Sequence, residues 1–161
     1  MTTSEATGEA TSEATGGATS VTTAEANKQA IRRLFQAMNE HRVGDLPDYI
    51  AADVTDHNKI IHGEADEPGA AFEGFAQQLA AFRDITMAPQ ELIAESDQVV
   101  VRFLASGTHT GLHPRMPQPT GRRFEVEQIW IFTLDRGKVT EIRAVSDRLG
   151  LFAQLGWDWP S

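Results

Sequence analysis

The strongest structural constraint in this chain is the alternating segment F-E-V-E-Q-I-W-I-F, which runs from Phe124 to Phe132. A period of two is typical of a β-strand with two different faces. One face is apolar apart from Gln128, and we expect it to form a cavity wall on which Gln128 holds a carbonyl or enolate oxygen. Trp130 on that face offers a flat surface for stacking a polycyclic ligand. Core packing alone would explain the apolar residues of this face, but it would not explain Gln128.

Three further segments have the β-branched and aromatic composition of strands. They cover residues 85–93, 98–110 and 138–145, and the alternating strand extends over 123–135. Asp97 and the D-R-G sequence that begins at Asp135 are typical of hairpin turns. Hairpins between successive strands predict a meandering antiparallel sheet.

Helical periodicity dominates the chain before these strands. Thr22 and Glu25 have the spacing of a capping box, so we predict that the first helix begins near Thr22 and ends at Gly44. Asp45 can cap a short second helix. A third helix is predicted after Pro68, and helices followed by a sheet predict an α+β fold. The apolar stripes are Ile31, Leu34, Phe35 and Met38 on the first helix, and Phe72, Phe75, Leu79 and Phe82 on the third.

Length and composition predict one globular domain behind a tail. Residues 1–21 are rich in Ser, Thr, Ala and Gly and are predicted to be disordered, and residues 22–161 are predicted to form a single domain. The formal net charge of −9 argues against nucleic acid as a partner. No apolar run is long enough for a membrane helix, the chain has no Cys and no signal sequence is visible, so we expect a cytoplasmic protein.

Three side chains are candidate acids and bases. Asp147 follows the last strand, where it could cap the C-terminal helix or act as a carboxylate at the mouth of the cavity. His109 shares its strand face with Val101 and Phe103, so it could move a proton inside an apolar pocket or be a buried structural group. Asp56 could orient a histidine across space, although turn chemistry also explains it.

The five histidines lack the spacing of a metal motif, so no metal site is predicted. His57 and His62 lie in what we predict to be irregular chain, and we expect both to contact the substrate. Two aromatic residues on the predicted apolar faces, Phe35 and Phe103, complete the substrate-binding set.

Four short motifs follow one another in a fixed order: G-T-H-T-G at 107–111, P-T-G-R at 119–122, the Gly-Lys turn at 137–138 and Q-L-G at 154–156. With this order the chain resembles the SnoaL-like polyketide cyclases, or ester cyclases, of the NTF2-like superfamily. The resemblance implies a curved antiparallel sheet that forms a cone, with three N-terminal helices packed over a central cavity. It also implies a homodimer or homotetramer, and chemistry without a metal or an organic cofactor.

The resemblance also indicates which positions of the family's site have changed. Aligned through the 137–138 turn, the catalytic Asp of the cyclases falls on Ala144, a cavity His falls on Trp130 and a cavity Asn falls on Asp56. We therefore expect the pocket to be kept and its acid/base group to be relocated, with Asp147 as the replacement, or lost. The positions that match are Gln128, His109 and His62.

The functional hypothesis is a cofactor-independent tailoring enzyme of secondary metabolism. It would bind a hydrophobic, aromatic, polyketide-like small molecule and cyclise or isomerise it by acid/base chemistry. Two alternatives remain open, because a fold does not determine a reaction. One is hydroxylation or epoxide opening in the same pocket, and the other is a ligand-binding module without catalysis.

Overall fold

The computed structural model describes residues 15–58, 69–113 and 118–156. They form the α+β architecture that the sequence predicts, with helices packed over one curved sheet. Within these residues, no helix combines the length and the apolar composition that crossing a membrane requires. The helices are α1 (Thr15–Asn39), α2 (Leu46–Tyr49), α3 (Ala70–Ala81) and α4 (Arg148–Leu155), and a 3-10 turn covers Val43–Asp45. The strands are β1 (Ile50–Asp56), β2 (Thr86–Glu95), β3 (Gln98–Thr108), β4 (Arg123–Asp135) and β5 (Lys138–Ser146).

The sheet has the strand order β1-β5-β4-β3-β2. The last four strands of the chain pair antiparallel with their sequence neighbours, which confirms the predicted meander. Between β4 and β5, Arg136 and Gly137 both have positive φ, of 48° and 79°. Two successive residues with positive φ form a tight turn whose twist matches that of the two strands it joins.

Strand β1 was not predicted from the sequence. It lies at the edge of the sheet and pairs parallel with β5, so that Asp56 is opposite Ile142. A parallel neighbour needs a long crossover connection, which leaves no hairpin signal in the sequence. The Ala-Ala-Asp stretch at 51–53 also interrupts the alternation that marks β4.

Three predictions about the first helices were wrong. Helix α1 begins at Thr15, so Thr22 lies inside the helix, and Glu25 forms an ion pair with Lys28 at 2.8 Å. The helix ends at Asn39, before Gly44. The Asp45 side chain makes no capping bond to α2, because its carboxylate is paired with Arg42.

The core lies between the helices and the inner face of the sheet. Phe35 of α1 is 1% exposed, and its ring centroid is 5.0 Å from that of Phe103 and 6.3 Å from that of Phe132. Edge-to-face pairs of this kind add to the stabilisation that comes from burial. Truncating one such ring to Ala would cost about 3–5 kcal/mol.

Two asparagine side chains bind backbone groups in the way that a neighbouring strand would. Asn58 accepts from Ala144 N at 2.6 Å and donates to Ala144 O at 2.7 Å. Asn39 makes the same pair of bonds to Met87, at 2.7 and 2.9 Å. The first pair continues the contact of β1 with β5, and the second attaches the end of α1 to β2.

Candidate active site

A cavity opens between α3 and the inner face of the sheet. It encloses about 770 Å³ if the open space at its mouth is counted. The walls are apolar over most of their area, as is usual for small-molecule sites. The apolar side chains that define the walls include Phe75 and Leu79 of α3, Phe82 directly after that helix, and Phe103, Phe124 and Trp130 of the sheet.

The polar lining is concentrated where β5 ends and α4 begins. Ser146, Asp147 and Arg148 follow one another at this junction and all line the cavity. Ser146 is directly opposite Gln128 on β4, which also lines the cavity. The strand register therefore brings an amide and a carboxylate to the same end of an otherwise apolar pocket.

Asp147 both caps helix α4 and lines the cavity. Its Oδ1 accepts a hydrogen bond of 2.7 Å from Gly150 N, which satisfies one of the backbone donors at the start of the helix. A side chain at position 150 would overlap this carboxylate, so the glycine is what lets it lie over the helix end. The capping and cavity interpretations of Asp147 are therefore compatible.

Gln128 is held in one orientation by Trp130. The indole Nε1 lies 2.9 Å from the Gln128 amide oxygen, and both residues line the cavity. An indole N–H can only donate, so the amide oxygen is the acceptor and the NH2 group lies on the other side of the amide. Within the described ranges, that NH2 group donates to no protein acceptor. The site thus contains a fixed hydrogen-bond donor beside an aromatic surface.

Trp130 packs against other aromatic rings and also lines the cavity. Its ring centroid is 5.3 Å from that of Phe103 and 6.1 Å from that of Phe75. Across the strand pair, Trp130 is opposite Ala144. Ala144 is partly buried against the core, and the two residues contribute to the same inner face.

Phe103 lines the cavity, and its predicted contact with a substrate stays a prediction, whereas Phe35 lies behind the wall, packed against Phe103 and Trp130. Phe35 is not one of the described cavity-lining residues, so its contact with a substrate stays a prediction. Its position makes it a support for the rings that do line the pocket.

Asp56 and His57 lie at the end of β1. Asp56 is 7% exposed, and its Oδ1 accepts from Asn58 N at 2.7 Å. His57 is on the surface, where its Nε2 is 2.9 Å from Glu141 Oε2. Neither residue belongs to the described cavity lining, and their roles in catalysis and binding stay predictions.

His109 is fully buried just beyond β3. Its Nδ1 accepts from Thr120 N at 3.2 Å, and its ring centroid is 5.4 Å from that of Phe82, which does line the cavity. His109 is not among the described residues that line the cavity, and Phe82 contacts both this imidazole and the pocket. The predicted role of His109 is untested by this placement, and His62 lies outside the described residues.

Sequence reasoning missed three polar residues of the lining, namely Gln78, Ser146 and Arg148. Gln78 has a signal in the sequence, since it is a polar residue on the helical stripe that contains Phe75 and Phe82. Arg148 follows Asp147 directly, and only the strand-to-helix junction seen in the structure places it at the cavity.

Comparison with known proteins gives a consistent result. A family model for the SnoaL-like polyketide cyclases matches residues 28–155. Nogalonic acid methyl ester cyclase of Streptomyces nogalater is 30% identical over 128 residues, which cover 79% of this chain and 95% of that protein. Aklanonic acid methyl ester cyclase AcmA of Streptomyces galilaeus is 30% identical over 132 residues, covering 81% and 91% of the two chains.

Solved structures agree with this result. TsrD from Streptomyces laurentii superposes with a TM-score of 0.70 at 26% identity and covers 82% of this chain and 96% of that one. IdmH from Streptomyces antibioticus superposes with a TM-score of 0.69 at 29% identity and covers 81% and 98%. The resemblance found in the sequence motifs is confirmed, and the chain belongs to the SnoaL-like polyketide cyclase family.

Proposed function

We propose that this protein closes a ring in a polyketide methyl ester by acid/base chemistry, with Asp147 as the group that moves the proton. The observation that carries the proposal is that Asp147, Gln128 and Trp130 line one apolar cavity. The substrate class is supported by the two relatives described above, which are both named as cyclases of methyl esters.

In the proposed reaction, the Asp147 carboxylate takes a proton from a carbon next to a carbonyl group. The resulting enolate carbon attacks a second carbonyl group of the same molecule, and a carbon–carbon bond forms. The new alkoxide takes the proton back from Asp147, so product and substrate have the same mass. No step uses a metal or an organic cofactor.

Gln128 offers the hydrogen-bond donor that this reaction needs. Its NH2 group can donate to the enolate oxygen as negative charge develops there, and Trp130 already fixes the amide. A donor that is oriented in advance needs no reorganisation during the reaction. The apolar walls strengthen the interaction because they keep water, and its high dielectric constant, away from the reacting atoms.

Two carboxylates are candidates for the acid/base role that the resemblance to the cyclases assigns to the position of Ala144. Asp147 is exposed at the cavity, while Asp56 is buried at the sheet edge and bonded to Asn58. We favour Asp147 because a general base must reach the proton that it removes. Replacing each with Asn separates the two assignments, since Asn has nearly the same shape and cannot accept a proton.

The proposed function is tested by product mass. The purified protein, treated with a chelator, is incubated with a panel of polyketide methyl esters, and each product is compared with its substrate by chromatography and mass spectrometry. An unchanged mass with a shifted retention time supports cyclisation. A gain of one oxygen or one water would indicate the hydroxylase or the epoxide-opening alternative, and tight binding without turnover would indicate a ligand-binding module.

We further propose that two copies of the chain associate through the outer face of the sheet. Ile129 and Val145 are opposite each other on that face and are 38% and 72% exposed, and Ile93 on β2 is 65% exposed. Exposed apolar groups clustered in this way are typical of interfaces between proteins. Light scattering should report a dimer, and Val145→Lys should convert it to a monomer; a monomeric wild type would contradict the proposal.

A further inference from the structure

Gln78 is a half-buried polar residue on the apolar cavity wall formed by α3. Phe75 and Leu79 of the same helix, and Phe82 directly after it, line the cavity with it. Residues three and four apart share one face of a helix, so the amide lies within this apolar stripe. An amide in apolar surroundings is costly unless each of its polar atoms has a partner. Packing alone gives no reason for a glutamine here.

One half of the Gln78 amide is bonded to the protein. Its Nε2 lies 3.4 Å from Nε2 of His113, which is 5% exposed. An amide NH2 group donates and does not accept, so His113 Nε2 is the acceptor in this contact. The amide oxygen is then directed away from His113, and within the described part of the chain no donor reaches it. The α3 wall thus presents a hydrogen-bond acceptor to the cavity.

The sheet wall, opposite α3, presents a hydrogen-bond donor that complements the acceptor of Gln78. On β4, the Gln128 oxygen is bonded to Trp130, so the NH2 group of that amide is the one available to a ligand. Two glutamines of the same cavity are therefore held in opposite orientations by their neighbours, one as a donor and one as an acceptor. A planar ligand between α3 and the sheet would meet both.

We propose that Gln78 determines substrate specificity by accepting a hydrogen bond from a phenolic hydroxyl group, while Gln128 binds a carbonyl oxygen of the same molecule. The inference rests on the proposed function, since it takes the substrate to be a polycyclic aromatic carbonyl compound. The inference requires that the edge of the substrate next to Gln78 carries a hydrogen-bond donor. A substrate with a methyl group in place of that hydroxyl would leave the Gln78 oxygen without a partner and bind more weakly.

The test uses two tricyclic probes of nearly equal size, 2-hydroxyanthraquinone and 2-methylanthraquinone. Both have carbonyl oxygens for Gln128, and only the first has a hydroxyl donor. Affinities are measured by calorimetry at about pH 6, where a phenol keeps its proton. The variants are Gln78→Leu, which removes the acceptor, and Gln78→Glu, which keeps it. Gln77→Leu is the matched control, because that glutamine is bonded to Glu73 on the helix surface.

The wild type and Gln77→Leu are expected to bind the hydroxyl probe at least about ten-fold more tightly than the methyl probe. Gln78→Leu should reduce this ratio to about one, and Gln78→Glu should keep it. Binding of both probes with equal affinity to the wild type, or an unchanged ratio in Gln78→Leu, would overturn the inference and leave the proposed function intact. Binding of neither quinone would overturn the inference together with the aromatic substrate class of the proposed function.

Discussion

The indole N–H of Trp130 donates to the side-chain oxygen of Gln128 over 2.9 Å, and this bond sets the polarity of the β4 wall. We expect Gln128→Leu to lower kcat by about 10²-fold, as loss of one oriented donor to a developing oxyanion does. Trp130→Phe should have a smaller effect, since the NH2 group remains but loses its orientation. The double variant should be no slower than Gln128→Leu alone, which steady-state kinetics of the three proteins will show. Additive losses would mean that the two residues act independently.

Gly150 controls the position of the Asp147 carboxylate. A methyl group at position 150 would occupy the space that the carboxylate fills, so Gly150→Ala should displace it from the cap and from the cavity. Stability should change little, because the loss of a capping bond costs about 1 kcal/mol and Ala in place of Gly in a helix returns a similar amount. Activity should fall nearly as far as in Asp147→Asn.

Gly137→Ala is a useful contrast to this variant. Gly137 also follows an aspartate closely in sequence, but it has a φ of 79° in the β4–β5 turn and is not among the described residues that line the cavity. That change should lower stability and leave kcat unchanged. If Gly150→Ala kept full activity, the position of the Asp147 carboxylate would not matter for the reaction.

Asn58 should contribute to stability and not to chemistry. Its side chain makes two bonds, of 2.6 and 2.7 Å, to the backbone of Ala144 on β5. We expect Asn58→Ala to lower the free energy of unfolding by about 2 kcal/mol, because it leaves both backbone groups without this partner. Asn58→Asp keeps only the acceptor and should fall between the two proteins in urea unfolding. A loss below about 0.5 kcal/mol for Asn58→Ala would show that water replaces the side chain.

Asp84 should make part of the stability depend on pH. The backbone N–H and then the hydroxyl of Thr108 donate to this carboxylate, at 2.6 and 2.8 Å, and lower its pKa below the ordinary 3.8. For a carboxyl whose pKa is lowered by folding, the stabilisation is complete above the ordinary pKa and is lost as the pH falls through the lowered one.

The corresponding variant is Asp84→Asn. At neutral pH it should be less stable than the wild type by about 1 kcal/mol, a modest value because the side chain is half exposed. Thermal unfolding followed between neutral and strongly acidic pH should show the two proteins converging as Asp84 takes up its proton. A constant difference at all pH values would mean that the charge of Asp84 makes no contribution.

The part of the fold that depends on local patterns could be predicted from the sequence. Alternation located β4, and the positive-φ turn at Arg136 and Gly137 set its pairing with β5. Strand β1 could not be found in this way, because its partner is far away in the chain and pairs with it in parallel. The start of α1 was missed because the residues before Thr22 have a composition typical of disordered chain.

The candidate site was predictable where a polar residue breaks an apolar pattern. Gln128 stands out on the inner face of β4, and the same argument applied to α3 would have identified Gln78. The dual position of Asp147 needed the structure, since a sequence shows that a residue can cap a helix but not what lies beside the cap. The burial of His109 against Phe82 likewise depends on how distant parts of the chain pack together.

The central claim, that Asp147 moves the proton in a ring closure, is tested most directly by the turnover of a polyketide methyl ester by Asp147→Asn. Asn is as good a helix cap as Asp, so the variant should keep its fold and its melting temperature. Loss of a general base predicts a fall in kcat of about 10²- to 10⁴-fold, with little change in substrate affinity. Asp53→Asn, at an exposed aspartate of β1, should have the activity of the wild type. Full turnover by Asp147→Asn would contradict the account.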